Sequence, residues 1–219
     1  MGYQCIGSMD NHFLNAALQQ KILPAVTFSA IDEVLPVTEA ILEGGLNTME
    51  ITFRTGVAAT SIQMIRKNFP EMYVGAGTLL SPAQVNEAVE AGAQFGLAPG
   101  LNLSVCEYAL KTRFPFVPGV MTPSEVELAA EMGFTILKLF PAAQIQGTEF
   151  LKALHNTYAQ LQLKFIPMGG VSMKNIREYL FQKNVIAVGG SWLASRELIS
   201  AKQFDIITKQ VKEVLHLIN

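Results

Sequence analysis

FPFVPGVMTPSEVELAAEMGFTILKLF, residues 114–140, sets two short apolar runs on either side of one amphipathic segment. FPFVP at Phe114 to Pro118 and FTILKLF at Phe134 to Phe140 read as strands, each apolar on both faces. Between them, Thr122-Pro123 with Glu125 marks a helix start: the hydroxyl can cap, and proline has no amide to leave unpaired. EMGF at Glu131 to Phe134 then places a glycine where the helix must turn back. Strands buried on both faces belong in a parallel sheet covered by helices, so this stretch reads as a βαβ unit.

The same alternation extends in both directions. Further strands are expected at Ile22 to Phe28, Leu46 to Thr52, Met72 to Ala76, Phe95 to Pro99, Lys164 to Met168 and Val185 to Gly189, which makes eight. Their starts lie about 20 to 30 residues apart, the length of one βα unit. Helices are expected at Ile31 to Glu43, Val57 to Asn68, Pro82 to Ala91, Leu103 to Thr112, Pro123 to Met132, Gly147 to Asn156, Met173 to Phe181 and Gln203 to Leu217. An additional N-terminal helix is expected near Asn11 to Gln20. Eight βα units favour a (β/α)8 TIM barrel, although a doubly wound open sheet has the same local periodicity. No linker-like or low-complexity stretch divides the chain, so residues 1–219 are expected to form one domain.

Composition narrows the function classes. Of 219 residues, 50% are hydrophobic and 16% charged, which excludes a disordered chain. With 18 acidic and 16 basic side chains there is no excess positive charge to grip nucleic acid. MGYQCIGSMDNHF lacks the basic start and apolar core of an export signal, and no stretch of about 20 residues is apolar enough to span a membrane. A cytoplasmic protein without membrane partners is therefore expected, and its low charge favours homo-oligomerisation. Cys5 and Cys106 form neither a metal-spacing motif nor a disulfide framework, and His12, His155 and His216 fall at no strand end, so no metal is expected. GAGTLL lacks the spacing of a dinucleotide fingerprint and no phosphate-binding P-loop motif occurs, so no nucleotide cofactor is expected either.

In a parallel α/β fold the ligand site lies at the C-terminal strand ends. Those ends supply Thr27, Glu50 with Thr52 and Arg54, Gly77-Thr78, Pro99-Gly100, Lys138 with Phe140, Gly169-Gly170 and Gly189-Gly190-Ser191. Lys138 is flanked on both sides by apolar residues. Either its stem packs while its ammonium snorkels or pairs, or it is a desolvated amine that attacks a carbonyl to form a Schiff base. Glu50 shares one side of MEITFRT with Thr52 and Arg54. A structural ion pair is one reading; a general acid/base at Glu50, with Arg54 holding a substrate carboxylate, is the other. The paired glycines after the last two strands suit a phosphate cup or simple tight turns. Thr78 is a candidate small-anion ligand, Phe140 is the aromatic residue expected against substrate, and Trp192 reads as core.

MEITFRT, VGAGTLL, APG at Ala98 to Gly100, VPGVMTPSE, ILKLFPA and VGGSWL resemble, in order from about Ile22 to Leu193, the bacterial 2-keto-3-deoxy-6-phosphogluconate / 4-hydroxy-2-oxoglutarate aldolase family. The resemblance implies a homotrimeric (β/α)8 barrel and a class I aldolase that needs no metal or cofactor. It places the Schiff-base lysine on Lys138, the acid/base on Glu50 and the carboxylate contacts on Arg54 and Thr78. Phosphate contacts fall on Gly169, Gly170, Gly190 and Ser191, and the substrate pocket on Thr27, Pro99, Phe140 and Met168. The implied reaction is reversible cleavage of a 2-keto-4-hydroxy acid to pyruvate and an aldehyde such as glyceraldehyde 3-phosphate. Family members commonly carry threonine where this chain has Met168, which replaces a hydroxyl near the substrate with a thioether and bears on discrimination. An aldolase of 4-hydroxy-2-oxoglutarate or of 2-keto-3-deoxy-6-phosphogalactonate is the nearest alternative. A phosphosugar isomerase or epimerase and a silent phosphometabolite-binding barrel are the more distant ones.

Overall fold

Strand and helix alternate throughout the computed structural model, which describes residues 11–218. The elements in order are α1 (His12–Ala17), β1 (Ile22–Val26), α2 (Val34–Glu43), β2 (Thr48–Thr52), α3 (Ala58–Asn68), β3 (Tyr73–Gly77), α4 (Pro82–Glu90), β4 (Phe95–Leu97) and α5 (Leu103–Thr112). They continue with β5 (Phe116–Val117), β6 (Gly119–Val120), α6 (Pro123–Glu131), β7 (Ile136–Leu139), α7 (Gly147–Tyr158), β8 (Lys164–Pro167), α8 (Ile176–Leu180), β9 (Val188–Gly190), α9 (Arg196–Ser200) and α10 (Phe204–Ile218). Helix starts follow their side chains. Ser81 accepts the Gln84 N–H, and Thr122 and Glu125 form a reciprocal capping box with Pro123 in the first turn.

Every strand pairing is parallel. β5-β4-β3-β2-β1-β9 form one curled sheet and β6-β7-β8 a second. The run expected as one fifth strand is divided at Pro118, which has no N–H to offer a ladder. Val117 faces β4, where its carbonyl accepts the Ala98 N–H at 3.1 Å, whereas the Pro118 carbonyl accepts the Lys138 N–H at 2.9 Å. Gly119 is needed here because a Cβ would lie 2.2 Å from the Pro99 carbonyl carbon. On the far side of β8, Phe165 bridges Val185 and exchanges hydrogen bonds with Asn184 O and Ile186 N, linking the three-stranded sheet to the segment that leads into β9.

Two apolar layers result. One lies between sheet and helices and takes Met49 and Ile51 of β2 and Leu137 and Leu139 of β7. The other is enclosed by the opposite strand faces, where Leu23, Phe95, Leu97, Val117, Ile136 and Ile166 meet. The N-terminal helix fills this inner layer with Leu14 and Ala17, joined by Leu18, and Met168 belongs to the same layer.

Two local expectations are corrected. The helix expected from Met173 to Phe181 begins only at Ile176, because the Asn175 side chain accepts from Ser172 N at 2.8 Å and donates to Gly170 O at 3.0 Å, holding residues 170–175 as a turn. Ser172 therefore does not cap it. Helix α9, capped by Ser195, has no counterpart in the sequence reading. Cys5 lies outside the described residues. Cys106 is buried, and loss of hydration pushes its thiol up to about 12, so it is chemically quiet. Among the described residues no helix is long and apolar enough to cross a membrane.

Candidate active site

Strand alternation puts Lys138 and Glu50 on the inner face, because their neighbours on β7 and β2 are taken by the outer apolar layer. Lys138 Nζ lies 3.5 Å from Glu50 Oε1, with side-chain exposures of 7% and 1%. The amine also stands 5.7 Å from the centroid of the Phe140 ring, within cation–π reach. Glu50 Oε2 is buried and has no hydrogen-bond partner among the described residues. Gly77 makes room for this carboxylate: a Cβ there would sit 2.8 Å from Glu50 Cδ and 2.9 Å from Oε2. Arg54, exposed just beyond β2, makes no ion pair or hydrogen bond among the described residues, so its guanidinium is available to a ligand.

These groups open into one cavity of about 300 Å³. Glu50, Arg54, Lys138, Phe140 and Met168 line it together with Gly169, Gly170, Gly190 and Ser191. It therefore gathers an amine, an acid/base and a cation together with glycine-rich backbone and a serine hydroxyl in one cavity. Gly169 and Gly170 have φ of 86° and 77°, and a Cβ on Gly170 would lie 2.4 Å from Ala143 Cβ, so the turn depends on glycine twice over. After Gly190 there is only the short 3-10 turn Trp192–Ala194 rather than a helix aimed at the cavity. A larger recess of about 440 Å³ lies beside the start of β8 with His155, Lys164 and Lys183, but it holds no comparable amine–carboxylate pair.

Thr27, Thr78 and Pro99 do not line the cavity. The Thr27 hydroxyl pairs with that of Thr52 at 2.7 Å, tying β1 to β2. Thr78 has φ of 58°, which turns the chain immediately after β3, and Pro99 lines a separate recess with Leu80 and Leu101. Conversely, Ala25 and Val171 line the cavity without having been singled out, and so does Trp192, which was expected in the core. Ala25 shares its strand face with Thr27, so alternation was the signal for it. Trp192 lies over Gly190, where a Cβ would come within 2.5 Å of the indole. It is a wall of the site as well as a packing residue.

The rim is braced by Arg196, whose Nη1 and Nη2 donate to Glu33 Oε2 and Oε1 at 2.7 and 2.9 Å. Glu33 also accepts from Ser29 N and Ala30 N. The Arg196 hydrogen bond, aided by these amides, holds the Glu33 carboxyl below the usual carboxylate range. Its stabilising effect is thus complete above the unfolded carboxyl's pKa and is lost as the pH falls through the folded one. Melting curves of wild type and Glu33→Gln should differ most at neutral pH, by about 1 kcal/mol for a partly exposed pair, and the difference should shrink as the pH falls below the ordinary carboxylate range. A difference that grows on acidification would reverse this assignment.

The family model described as "Aldolase: KDPG and KHG aldolase" matches residues 14–210, nearly all of the chain. The chain belongs to this aldolase family. The 2-dehydro-3-deoxy-phosphogluconate aldolase of Haemophilus influenzae is 40% identical over 198 residues, 90% of this chain and 92% of that one. A crystal structure of KDPG aldolase from Legionella pneumophila, with pyruvate captured at low pH as a covalent carbinolamine intermediate, superposes with a TM-score of 0.88 at 35% identity, covering 91% of this aldolase and 97% of that chain. The 2-keto-3-deoxy-6-phosphogluconate aldolase of Zymomonas mobilis with 3-phosphoglycerate gives 0.83 at 31% identity, covering 94% and 95%.

Proposed function

We propose that this protein is a class I aldolase that cleaves 2-keto-3-deoxy-6-phosphogluconate to pyruvate and glyceraldehyde 3-phosphate. The observation that carries the reading is the buried Lys138–Glu50 pair, 3.5 Å apart in a cavity that the exposed Arg54 also lines. Arg54 binds the substrate carboxylate and so presents the C2 ketone to Lys138. The neutral amine adds to C2, and Glu50 supplies the proton with which the carbinolamine hydroxyl departs as water, leaving an iminium. The Glu50 carboxylate then takes the C4-hydroxyl proton. The C3–C4 bond breaks, its electrons pass into the iminium to give an enamine, and the aldehyde leaves. Protonation at C3 and hydrolysis release pyruvate and restore the amine. The carbinolamine of the Legionella relative supports this course.

Gly169, Gly170, Gly190 and Ser191 offer backbone amides and a hydroxyl to the terminal phosphate. The phosphoglycerate held by the Zymomonas relative supports that use. Met168 adds an apolar stretch to the lining; it packs so closely on Gly189 that a Cβ there would lie 2.1 Å from its methyl. Thr78 and Thr27 act from just outside the cavity, as the support of the carboxylate end and of β2, and Pro99 shapes the neighbouring recess. We further propose that the two sheets close into an eight-stranded (β/α)8 barrel, with the divided fifth strand and the Phe165–Val185 bridge as its seams. We also propose a cytoplasmic homotrimer; the exposed Leu80 at the Pro99 recess, with exposed Leu103 and Met121, supports self-association through an apolar surface.

Pyruvate release measured with 2-keto-3-deoxy-6-phosphogluconate and with its unphosphorylated counterpart tests the substrate. The phosphorylated acid should have a kcat/KM higher by at least about tenfold, the value of one or two charge-assisted hydrogen bonds. Equal values would remove the phosphate subsite and favour 4-hydroxy-2-oxoglutarate.

A further inference from the structure

We propose that Glu33 and Arg196 are positioning residues for the aldehyde half of the substrate, clamping the Gly190–Trp192 segment to the end of β1. The inference rests on the aldolase reading above. β9 ends at Gly190, and only Ser191, the Trp192–Ala194 turn and the capping Ser195 separate it from Arg196. The cavity wall formed by Ser191 and Trp192 is thus held between a strand end and one guanidinium.

That guanidinium reaches across to the β1–α2 loop. It grips both carboxylate oxygens of Glu33 and also donates to the Thr27 carbonyl at 3.0 Å, while Glu33 secures the amides of Ser29 and Ala30 at 2.8 and 3.3 Å. The loop itself is fixed to the strand that carries Glu50. Thr27 and Thr52 share a hydrogen bond, and the Thr55 hydroxyl donates to Phe28 O at 2.7 Å. A pair that served stability alone could sit anywhere on the surface. Here each contact but one, the Arg196 bond to Ser200 on its own helix, ends in the stretch Thr27–Glu33 that directly follows β1, the strand that gives Ala25 to the cavity wall.

Breaking the clamp leaves the Thr27–Thr52 and Thr55–Phe28 bonds in place. Lys138, Glu50 and Arg54 should therefore keep their geometry, and Gly190 stays paired with Pro24 of β1, while Ser191 and Trp192 beyond it lose one of their two anchors. Lysine at 196 keeps the charge but not the planar two-point grip. The expected signature is a split between the two substrates of the synthetic direction.

The test is aldol addition of pyruvate to glyceraldehyde 3-phosphate by wild type, Glu33→Gln and Arg196→Lys, with borohydride trapping of pyruvate alongside. Trp192 is the sole tryptophan of the chain and reports on the segment directly through acrylamide quenching. We expect KM for the aldehyde to rise on the order of tenfold, with kcat and the KM for pyruvate within about threefold of wild type. Trp192 quenching should increase in both variants, less in Arg196→Lys. Trapping of pyruvate with unchanged aldehyde KM and unchanged quenching would overturn the clamp while leaving the aldolase reading intact. A wild type that traps no pyruvate would instead sink the aldolase reading and the substrate role of the clamp with it. Should Glu33→Gln fail to fold, Arg196→Lys decides alone.

Discussion

Replacing Lys138 with arginine is expected to cut aldol cleavage by roughly 10⁴-fold or more, because a guanidinium stays protonated and cannot become an iminium. Arginine still supplies a cation beside Glu50, so the fold should survive. Methionine at the same position is a harsher change. It would leave a carboxylate that is 1% exposed with no countercharge, and losing one member of a buried pair costs about 3–5 kcal/mol. Activity assays with circular dichroism separate the two effects. Folded Lys138→Arg protein that retains more than about a hundredth of wild-type kcat would mean that the bond breaks without covalent catalysis at this residue.

Gly77→Ala should lower kcat by about 10²-fold or more while changing stability little, although it introduces a single methyl group. Gly77 has no positive φ, so alanine is compatible with its backbone. The obstacle to the new Cβ is the end of the Glu50 side chain, at 2.8 to 3.1 Å. A flexible side chain moves more readily than a strand, so the carboxylate shifts and proton transfer loses its geometry. Gly75→Ala is the instructive contrast. Its Cβ would meet the Phe95 ring at 2.1 Å, inside the inner apolar layer, so the cost falls on the fold, at about 1–3 kcal/mol of overpacking. Steady-state kinetics and thermal melts of both variants check the pair. Wild-type kcat in Gly77→Ala would remove Glu50 from the proton transfers.

Lys138 was legible from sequence because it is flanked on both sides by apolar residues, and Glu50 because strand alternation sets it on one side of MEITFRT with Thr52 and Arg54. Gly169, Gly170, Gly190 and Ser191 were legible from their places at strand ends. Orientation beyond a strand end was not. Thr78 is turned by a left-handed backbone, and the chain at Pro99 is pressed against Gly119, so neither side chain reaches the cavity although both follow the correct ends. Trp192 failed for a different reason. A large apolar residue after a strand suits core and cavity wall equally, and only its seat over Gly190 decides between them. The Glu33–Arg196 bond joins residues 163 apart in the chain, a pairing that local periodicity cannot reveal. Pro118 likewise hides the two-sided pairing of the fifth strand behind one apolar run.

Borohydride reduction in the presence of pyruvate, followed by peptide mass mapping of the intact wild-type protein, tests the central claim most directly. Schiff-base chemistry predicts one pyruvate-derived adduct, on the peptide that contains Lys138, and none when pyruvate or borohydride is omitted. Folded protein that yields no adduct, or one confined to a different lysine, would contradict it.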